Sequence, residues 1–157
     1  MNILVIGGGG REHAISLCLQ KSPLIKKLVV APGNPGIAKF AECINIAIDD
    51  IEGQCNLAKK MKSDVVFIGP ELPLVLGLKD KLEEYGIKAF GPSKQAAQLE
   101  GSKSFARDFC LRHNIPQPKF KCCSNLKEAK KEIKKLNGYC VVKADGLAAG
   151  KGVIICE

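Results

Sequence analysis

The sequence has no long apolar run, few aromatic residues and only two histidines. Each of these features argues against one kind of protein or site. The longest apolar runs are short and contain glycine, so none could span a membrane as a helix. Aromatic residues make up 5% of the chain, and no stretch combines them with basic residues as a platform for stacking nucleic-acid bases would. His13 and His113 have no partners at metal-ligand spacing, so we expect no metal site in this chain.

The eight cysteines also lack the pattern of a disulfide or zinc framework. No two of them form a Cys-x-x-Cys pair, and most lie in apolar segments, where a thiol packs as a small hydrophobic group. The first apolar run is not preceded by a basic region or followed by a small-residue cleavage site, so it does not resemble a signal peptide. These features predict reduced thiols in a cytoplasmic protein.

The net charge of +8 is unevenly distributed along the chain. Residues 1–100 carry 12 basic and 11 acidic side chains, whereas residues 101–157 carry 12 and 5. This change predicts two domains, 1–101 and 102–157. Much of the basic excess lies in LKEAKKEIKKLNG, whose interspersed Glu residues indicate an exposed helix rather than a nucleic-acid patch.

Strand and helix patterns alternate over the first hundred residues, which predicts a parallel sheet covered by helices. The predicted strands are 2–7, 26–31, 42–48, 63–70 and 87–92. The predicted helices are 11–20, 49–62 and 72–86. Beyond residue 101, we expect two helices, 101–114 and 124–138, with Ser102 as the cap of the first, and an antiparallel hairpin of strands 139–144 and 152–157.

Because ligands gather at the carboxyl ends of parallel strands, the glycine-rich segments after the strands are the candidate sites. The first, LVIGGGGREHA (4–14), begins like a dinucleotide fingerprint, but Glu12 or His13 stands where its third glycine should be. No acid follows strand 26–31 to bind a ribose, so an NAD site is not expected. The loop keeps what an anion site needs, since free N–H groups at a helix start and Arg11 attract phosphate. Glu12 would suit a sugar hydroxyl or an amine; the alternative is a tight turn with a solvated Arg and a capping Glu.

The second glycine-rich segment, KADGLAAGKG (143–152), is not a P-loop, because Lys151 precedes Gly and the segment joins two strands. It could fold over a triphosphate, with Lys143 and Lys151 supplying charge, or be a flexible hairpin with two exposed lysines. Glu71, in GPELP at another strand exit, is by itself more typical of the acid at a helix start than of a catalytic group.

Five segments in order carry a resemblance that spans the chain: VIGGGGREHA, VVAPGNPG, IGPELPLV, FGPSKQAAQLEGSKSFARDF and VVKADGLAAGKGV. In this combination the chain resembles the phosphoribosylamine–glycine ligases, or glycinamide ribonucleotide synthetases, of the ATP-grasp superfamily. The resemblance implies an α/β fold with a Rossmann-like, parallel-sheet domain. The beginning of an ATP-grasp domain would follow, as a partial lid of a helix and antiparallel strands.

The resemblance also implies an activity and two groups of binding residues. Family members join glycine to 5-phosphoribosylamine with ATP, through a glycyl phosphate that the sugar amine attacks, in purine biosynthesis. The implied phosphoribosylamine site comprises Gly9, Gly10, Arg11, Glu12, Gly33, Asn34, Pro70 and Glu71. The implied ATP-binding residues are Lys103, Lys143, Gly146, Gly150, Lys151 and Gly152.

Family members are much longer, and their Mg²⁺ or Mn²⁺ ligands follow the lid loop. We therefore expect the metal ligands and the glycine pocket beyond residue 157, and a chain that is inactive alone as an amino-terminal portion. Small-molecule substrates are the expected partners, with neither nucleic acid nor membrane. The open alternatives are another ATP-grasp ligase, such as a phosphoribosylglycinamide formyltransferase or a biotin-carboxylase-like enzyme, and a noncatalytic module that retains the sugar-phosphate site.

Overall fold

The computed structural model describes residues 1–148 and 150–156. The chain divides into two compact units, Met1–Ala97 (unit 1) and Gln98–Glu157 (unit 2). The division falls within a helix, Lys94–Gly101, so the domain boundary near residue 101 stays a prediction.

Unit 1 is built on a parallel sheet of five strands, in the order β3-β2-β1-β4-β5. The strands are β1 (Asn2–Gly7), β2 (Lys27–Pro32), β3 (Glu42–Cys43), β4 (Val65–Ile68) and β5 (Lys88–Phe90). β1 is central because it pairs with β2 on one side and with β4 on the other. The chain builds outwards from β1 to β3 and then returns to add β4, so the order reverses between β1 and β4. This reversal is the topological switch point, where the carboxyl edge of an α/β sheet opens into a crevice.

Helices cover both faces of this sheet, which explains why its central strands are apolar throughout. The helices are α1 (Gly10–Gln20), α2 (Ile51–Lys60), α3 (Glu71–Leu76), α4 (Leu78–Glu84) and α5 (Lys94–Gly101). On one face, Leu4 and Ile6 pack with residues of α2, α3 and α4. On the other face, Ile3 and Val5 pack with Ile37, and Leu19 of α1 packs against this cluster. The α/β parallel-sheet fold expected for this part of the chain is thereby confirmed.

The strands predicted over 63–70 and 87–92 are shorter in the structure, at Val65–Ile68 and Lys88–Phe90, and two other predicted elements of unit 1 are wrong in kind or extent. The single helix predicted over 72–86 is two helices, because Gly77 adopts a φ of +95° and ends α3. The strand predicted over 42–48 has only two residues in the ladder. The isoleucines that made it look like a strand pack against the core cluster beside α2 instead of extending the sheet: Ile44, Ile46 and Ile48.

One helix of the structure, α5, was not predicted at all. Its backbone begins with the Lys94 N–H donating to the Asp80 carboxylate at 2.7 Å, and its Ala97 is buried in the core. The helix also has a local cap that the sequence prediction overlooked, since the Ser93 hydroxyl accepts the Ala96 N–H at 3.2 Å. The sequence prediction therefore assigned no secondary structure to the segment just before the predicted domain boundary, where the structure has α5.

Unit 2 consists of α6 (Lys103–Arg112), α7 (Leu126–Lys135) and an antiparallel pair, β6 (Cys140–Lys143) and β7 (Val153–Cys156). The predicted cap is confirmed, since the Ser102 hydroxyl accepts the Phe105 N–H at 3.2 Å. The predicted hairpin is confirmed as well for the described residues; residue 157, the last of the predicted strand 152–157, lies outside them. Neither α6 nor α7 has a buried residue. Among the helices described in either unit, none is long and apolar enough to cross a membrane.

Candidate functional site

The loops that follow β1 and β2 are tied together at the carboxyl edge of the unit 1 sheet. The Gly33 N–H donates to the Gly7 carbonyl at 3.2 Å, and the Asn34 amide donates to the Gly8 carbonyl at 2.9 Å. The other side-chain atom of Asn34, Oδ1, accepts the N–H groups of Gly36 and Ile37. Asn34 therefore has its polar atoms engaged in holding the two loops.

An ion pair bridges the switch point between β1 and β4. Arg11, in the first turn of α1, places Nη2 2.9 Å from Oε1 of Glu71, the first residue of α3. The carboxylate raises the pKa of Arg11 through this hydrogen bond and through its charge. The pKa of Glu71 lies below its usual value, because its own backbone N–H stabilises the carboxylate and Arg11 adds to the effect. The side chains stay 65% and 41% exposed, so both can reach a ligand.

Glu12 lies beside this pair but is buried, with its side chain only 4% exposed. Its Oε2 accepts the Gly9 N–H at 2.6 Å, which caps α1 as a capping box. Its Oε1 has no hydrogen-bond partner within the described part of the chain, and the Arg11 Nε lies 3.8 Å away. A Cβ at Gly69 or at Gly7 would overlap this side chain, so glycine at both strand exits makes the space that Glu12 fills.

The alternative interpretation of this loop, a tight turn with a capping Glu and a solvated Arg, is therefore right for Glu12, which caps α1, and wrong for Arg11, which is ion-paired.

Gly9 and Gly10 lie at the start of α1, and Pro70 immediately precedes α3. The eight residues of the implied phosphoribosylamine site all follow β1, β2 or β4 and face the carboxyl edge of one sheet: Gly9, Gly10, Arg11, Glu12, Gly33, Asn34, Pro70 and Glu71.

In unit 2, an acidic side chain anchors the glycine-rich segment to the start of α6. Asp145 Oδ1 accepts the backbone N–H groups of Lys103 at 2.7 Å and of Ser104 at 3.2 Å, and Oδ2 accepts the Ser104 hydroxyl at 2.6 Å. These donors, the Ser104 hydroxyl first among them, lower the pKa of Asp145 to about 2. The carboxylate thus satisfies the free N–H groups and the positive dipole of the helix start.

Two of the six candidate ATP-binding residues, Lys103 and Gly146, contact this anchor directly. The Lys103 amine donates to the Gly146 carbonyl at 2.6 Å, which is a second link between α6 and the loop. Lys143, Gly150 and Lys151 are exposed. Gly152 pairs with Ala144 at the loop end of the hairpin, where the Ala144 N–H donates to the Gly152 carbonyl at 2.8 Å.

Sequence reasoning missed Asp145, Ser102 and Ser104 as residues that shape this site. The serine hydroxyls and Asp145 are separated by more than forty positions, and their proximity is a product of folding. The available signal was an aspartate directly after a strand and a serine pair at a helix start, both of which are common in structural turns. Within residues 1–148 and 150–156, no group of three or more His, Cys, Asp or Glu could hold a metal ion.

Comparison with known proteins gives the same assignment over the whole chain. Residues 1–100 match the model of the phosphoribosylglycinamide synthetase N domain, and residues 101–157 match that of the ATP-grasp (A) domain of the same synthetase. Phosphoribosylamine–glycine ligase of Brucella melitensis is 51% identical over 99% of this chain and 36% of its own length. This chain thus spans about a third of the length of that curated relative.

Two solved structures have the same fold. The crystal structure of phosphoribosylamine–glycine ligase from Thermotoga maritima has a TM-score of 0.77 and 29% identity over 99% of this chain and 36% of its own. The biotin carboxylase domain of the Hydrogenobacter thermophilus 2-oxoglutarate carboxylase, which was solved with ADP and Mg²⁺, has a TM-score of 0.79 over 99% of this chain and 37% of its own. At 19% identity, the second comparison shows the fold alone.

The fold and the matched domains define this chain as part of an ATP-grasp enzyme. Within that class, the chain belongs to the phosphoribosylglycinamide synthetase family. The predicted resemblance is confirmed, and the alternatives of a formyltransferase or a biotin-carboxylase-like enzyme are not what the two family models match.

Proposed function

We propose that the protein to which this chain belongs ligates glycine to 5-phosphoribosylamine, converting ATP to ADP and phosphate and yielding glycinamide ribonucleotide for purine biosynthesis. The observation that supports this most is the match of both family models, in order, over residues 1–157. Three points extend the proposal beyond that match: Mg²⁺ or Mn²⁺ assists the reaction, the enzyme acts in the cytoplasm, and it handles small molecules rather than nucleic acid.

In this proposal, unit 1 binds the sugar phosphate at the Arg11–Glu71 bridge. The start of α1 attracts an anion through its N–H groups and dipole, and Arg11 adds a charged donor beside it. Glu71 provides an exposed carboxylate to which the amine of the substrate can donate. The phosphate would compete with Glu71 for the Arg11 guanidinium, which leaves Glu71 free to accept from the amine. Glu12 and Asn34 hold the loops in place.

The proposed role of unit 2 is to bind ATP. Lys103, Lys143 and Lys151 supply positive charge for the phosphates, and the loop of Gly146, Gly150 and Gly152 lets the backbone approach them. The anchoring of this loop by Asp145 supports the assignment, because it brings the Lys103 amine to the loop before any nucleotide binds. The chemistry that ATP supplies is activation of the glycine carboxylate as an acyl phosphate.

The sugar-phosphate site can be tested on the chain itself with ribose 5-phosphate, which has the phosphate and the sugar but no amine. Titration followed by backbone NMR should shift the resonances of Gly9, Gly10 and Arg11. Arg11→Ala should weaken binding about tenfold or more, since a hydrogen bond to a charged group contributes roughly 1.5–3 kcal/mol. Arg112→Ala, which removes a positive charge in α6, is the matched control and should leave binding unchanged.

The activity is tested on the full-length protein with glycine, phosphoribosylamine and ATP. We expect glycinamide ribonucleotide to form and Arg11→Ala to raise the KM for phosphoribosylamine about tenfold for the same reason. Absence of product from the full-length protein would refute the proposed reaction. An unchanged KM with normal turnover would show that Arg11 does not bind phosphoribosylamine, but it would not contradict the proposed reaction.

A further inference from the structure

Two cysteines lie directly opposite each other on the antiparallel strands of unit 2. In the register of β6 and β7, Cys140 is the partner of Cys156. Both are partly buried, and both are free thiols in this structure. In an antiparallel pair, directly opposed side chains point to the same face of the sheet, so the two thiols are neighbours.

The hydrogen-bond pattern of the hairpin gives the geometry of this pair. The Ala144 N–H donates to the Gly152 carbonyl, so Ala144 and Gly152 form a hydrogen-bonded pair. Such pairs alternate along an antiparallel ladder, which makes Cys140 and Cys156 a hydrogen-bonded pair too. The Cα atoms of such a pair are about 5.5 Å apart, inside the roughly 4.4–6.8 Å that a disulfide spans.

We propose that Cys140 and Cys156 form a reversible disulfide that closes the base of the glycine-rich hairpin. The Cβ atoms of opposed residues lie about 4.5–5.5 Å apart, with hydrogen-bonded pairs at the wide end, whereas a disulfide holds them at about 3.8 Å. Forming the bond therefore requires the strands to move closer, and the resulting strain makes the disulfide easy to reduce. This geometry indicates a switchable bond rather than a permanent structural one.

The oxidant is a small-molecule disulfide such as oxidised glutathione. The thiolate of one cysteine attacks a sulfur of that disulfide and expels one small thiolate, forming a mixed disulfide. The second cysteine, as its thiolate, then attacks the protein sulfur of the mixed disulfide and releases the other small thiolate. The two protein thiols lose two electrons and two protons, and the small disulfide gains them to become two thiols.

The local environment makes this reaction slow at neutral pH. Partial burial raises the pKa of the Cys140 thiol, and the neighbouring Cys156 raises it further. Because the thiolate is the reacting form, we expect the rate to increase as the pH rises above neutral. Whether the pair is oxidised at equilibrium depends on its reduction potential against that of the surrounding thiol buffer.

The consequence for the chain is a covalent ring that contains the whole segment from Lys143 to Gly152. Both ends of the loop, at the last residue of β6 and just before β7, would be held in one register. The inference depends only on strand register, so it does not depend on the reaction proposed for the protein.

Peptide mapping tests the proposal directly, because trypsin separates the two cysteines. Cleavage after Lys135, Lys143 and Lys151 leaves Cys140 in peptide 136–143 and Cys156 in the peptide that begins at Gly152. The folded chain is equilibrated in glutathione buffers of increasing oxidation at pH 8, quenched with acid, alkylated at low pH and digested. We expect these two peptides to be linked and the link to disappear in reduced buffer.

A register variant provides the matched control. In Cys140→Ser combined with Val141→Cys, the cysteine moves one position and points to the opposite face of the sheet, so its link to Cys156 should be at least tenfold less abundant. Equal linkage in this variant would show that strand register does not direct the pairing and would overturn the proposal. Absence of the link in the unaltered chain at every glutathione ratio would overturn it as well.

Discussion

Unit 1 buries a core and unit 2 does not, although the two have similar hydrogen-bonded elements. All the buried apolar residues described in the chain lie between Ile3 and Ala97. In unit 2, large apolar side chains are on the surface, including Leu126, 70% exposed, and Ile155, 71% exposed. Its elements are held by two capped helices and a hairpin ladder, which are local features, and by the long-range Asp145 anchor. Hydrogen-bonded elements can thus form without a buried core. Because burial is the dominant favourable contribution to folding, we expect unit 2 to be the less stable of the two.

Hydrogen exchange should show the largest difference between the units. We expect the amide hydrogens of β1 to exchange only when the whole unit unfolds, whereas β7 has few buried contacts to protect its amides. The amides of β1 should therefore exchange at least about a thousandfold more slowly than those of β7. Exchange followed by mass spectrometry on the folded chain measures both. Equal protection of β1 and β7 would mean that β7 is covered by something else, such as a second copy of the chain.

Truncating one apolar side chain in each unit sharpens the contrast. Leu4 is fully buried in the central strand, so Leu4→Ala should lower the free energy of unfolding by about 3 kcal/mol through lost burial and a cavity. Ile155 is 71% exposed, so Ile155→Ala should change the free energy of unfolding by no more than about 0.5 kcal/mol. Urea denaturation of both variants gives the values. A large effect of Ile155→Ala would contradict the view that unit 2 lacks a core.

The packing of Glu12 against glycine allows a similar test at the candidate site. An added methyl at Gly69 overlaps the Glu12 carboxylate, so Gly69→Ala should destabilise unit 1 by roughly 1–3 kcal/mol. Gly10 is the matched control, because a Cβ there meets no atom within 4 Å and the position is helical. In thermal unfolding, the Tm of Gly10→Ala should therefore equal that of the unaltered chain or be slightly higher. If the two variants unfold alike, the strand exits are looser than the structure indicates.

The smallest effect is expected at the Asp145 anchor. The folded-state pKa of about 2 is below the usual 3.8, so the anchor stabilises unit 2 above about pH 4 and loses its contribution as the pH falls towards 2. The contribution is about 1 kcal/mol or less, since the carboxylate is exposed to solvent.

Carboxyl NMR checks this prediction through the serine that lowers the pKa most. Ser104→Ala should move the Asp145 titration upward towards its usual range. Ser124→Ala, near the start of α7, should leave it in place. If Ser104→Ala has no effect on this titration, the hydroxyl does not stabilise the carboxylate, and the hydrogen bond between Ser104 and Asp145 is not a significant link between α6 and the loop.

Local patterns were a good guide where burial and local chemistry agree. Strands 2–7 and 139–144 were predicted because continuous apolar residues and β-branching favour them, and Ser102 was predicted because a helix cap is a local interaction. Local patterns failed where tertiary packing decides. Residues 42–48 look like a strand but pack as a covering segment. α5 is a different case, because its Ser93 cap is a local interaction that was overlooked.

The sequence by itself determined the order of elements, the fold class and the family, because periodicity, turn residues and motif order are properties of the chain alone. Only the tertiary structure decided which side chains meet. The Arg11–Glu71 bridge, the burial of Glu12 between two glycines, the Asp145 anchor and the pairing of Cys140 with Cys156 join residues that the chain separates. Such contacts depend on sheet order and strand register, which are set by the packing of the whole unit rather than by any local segment.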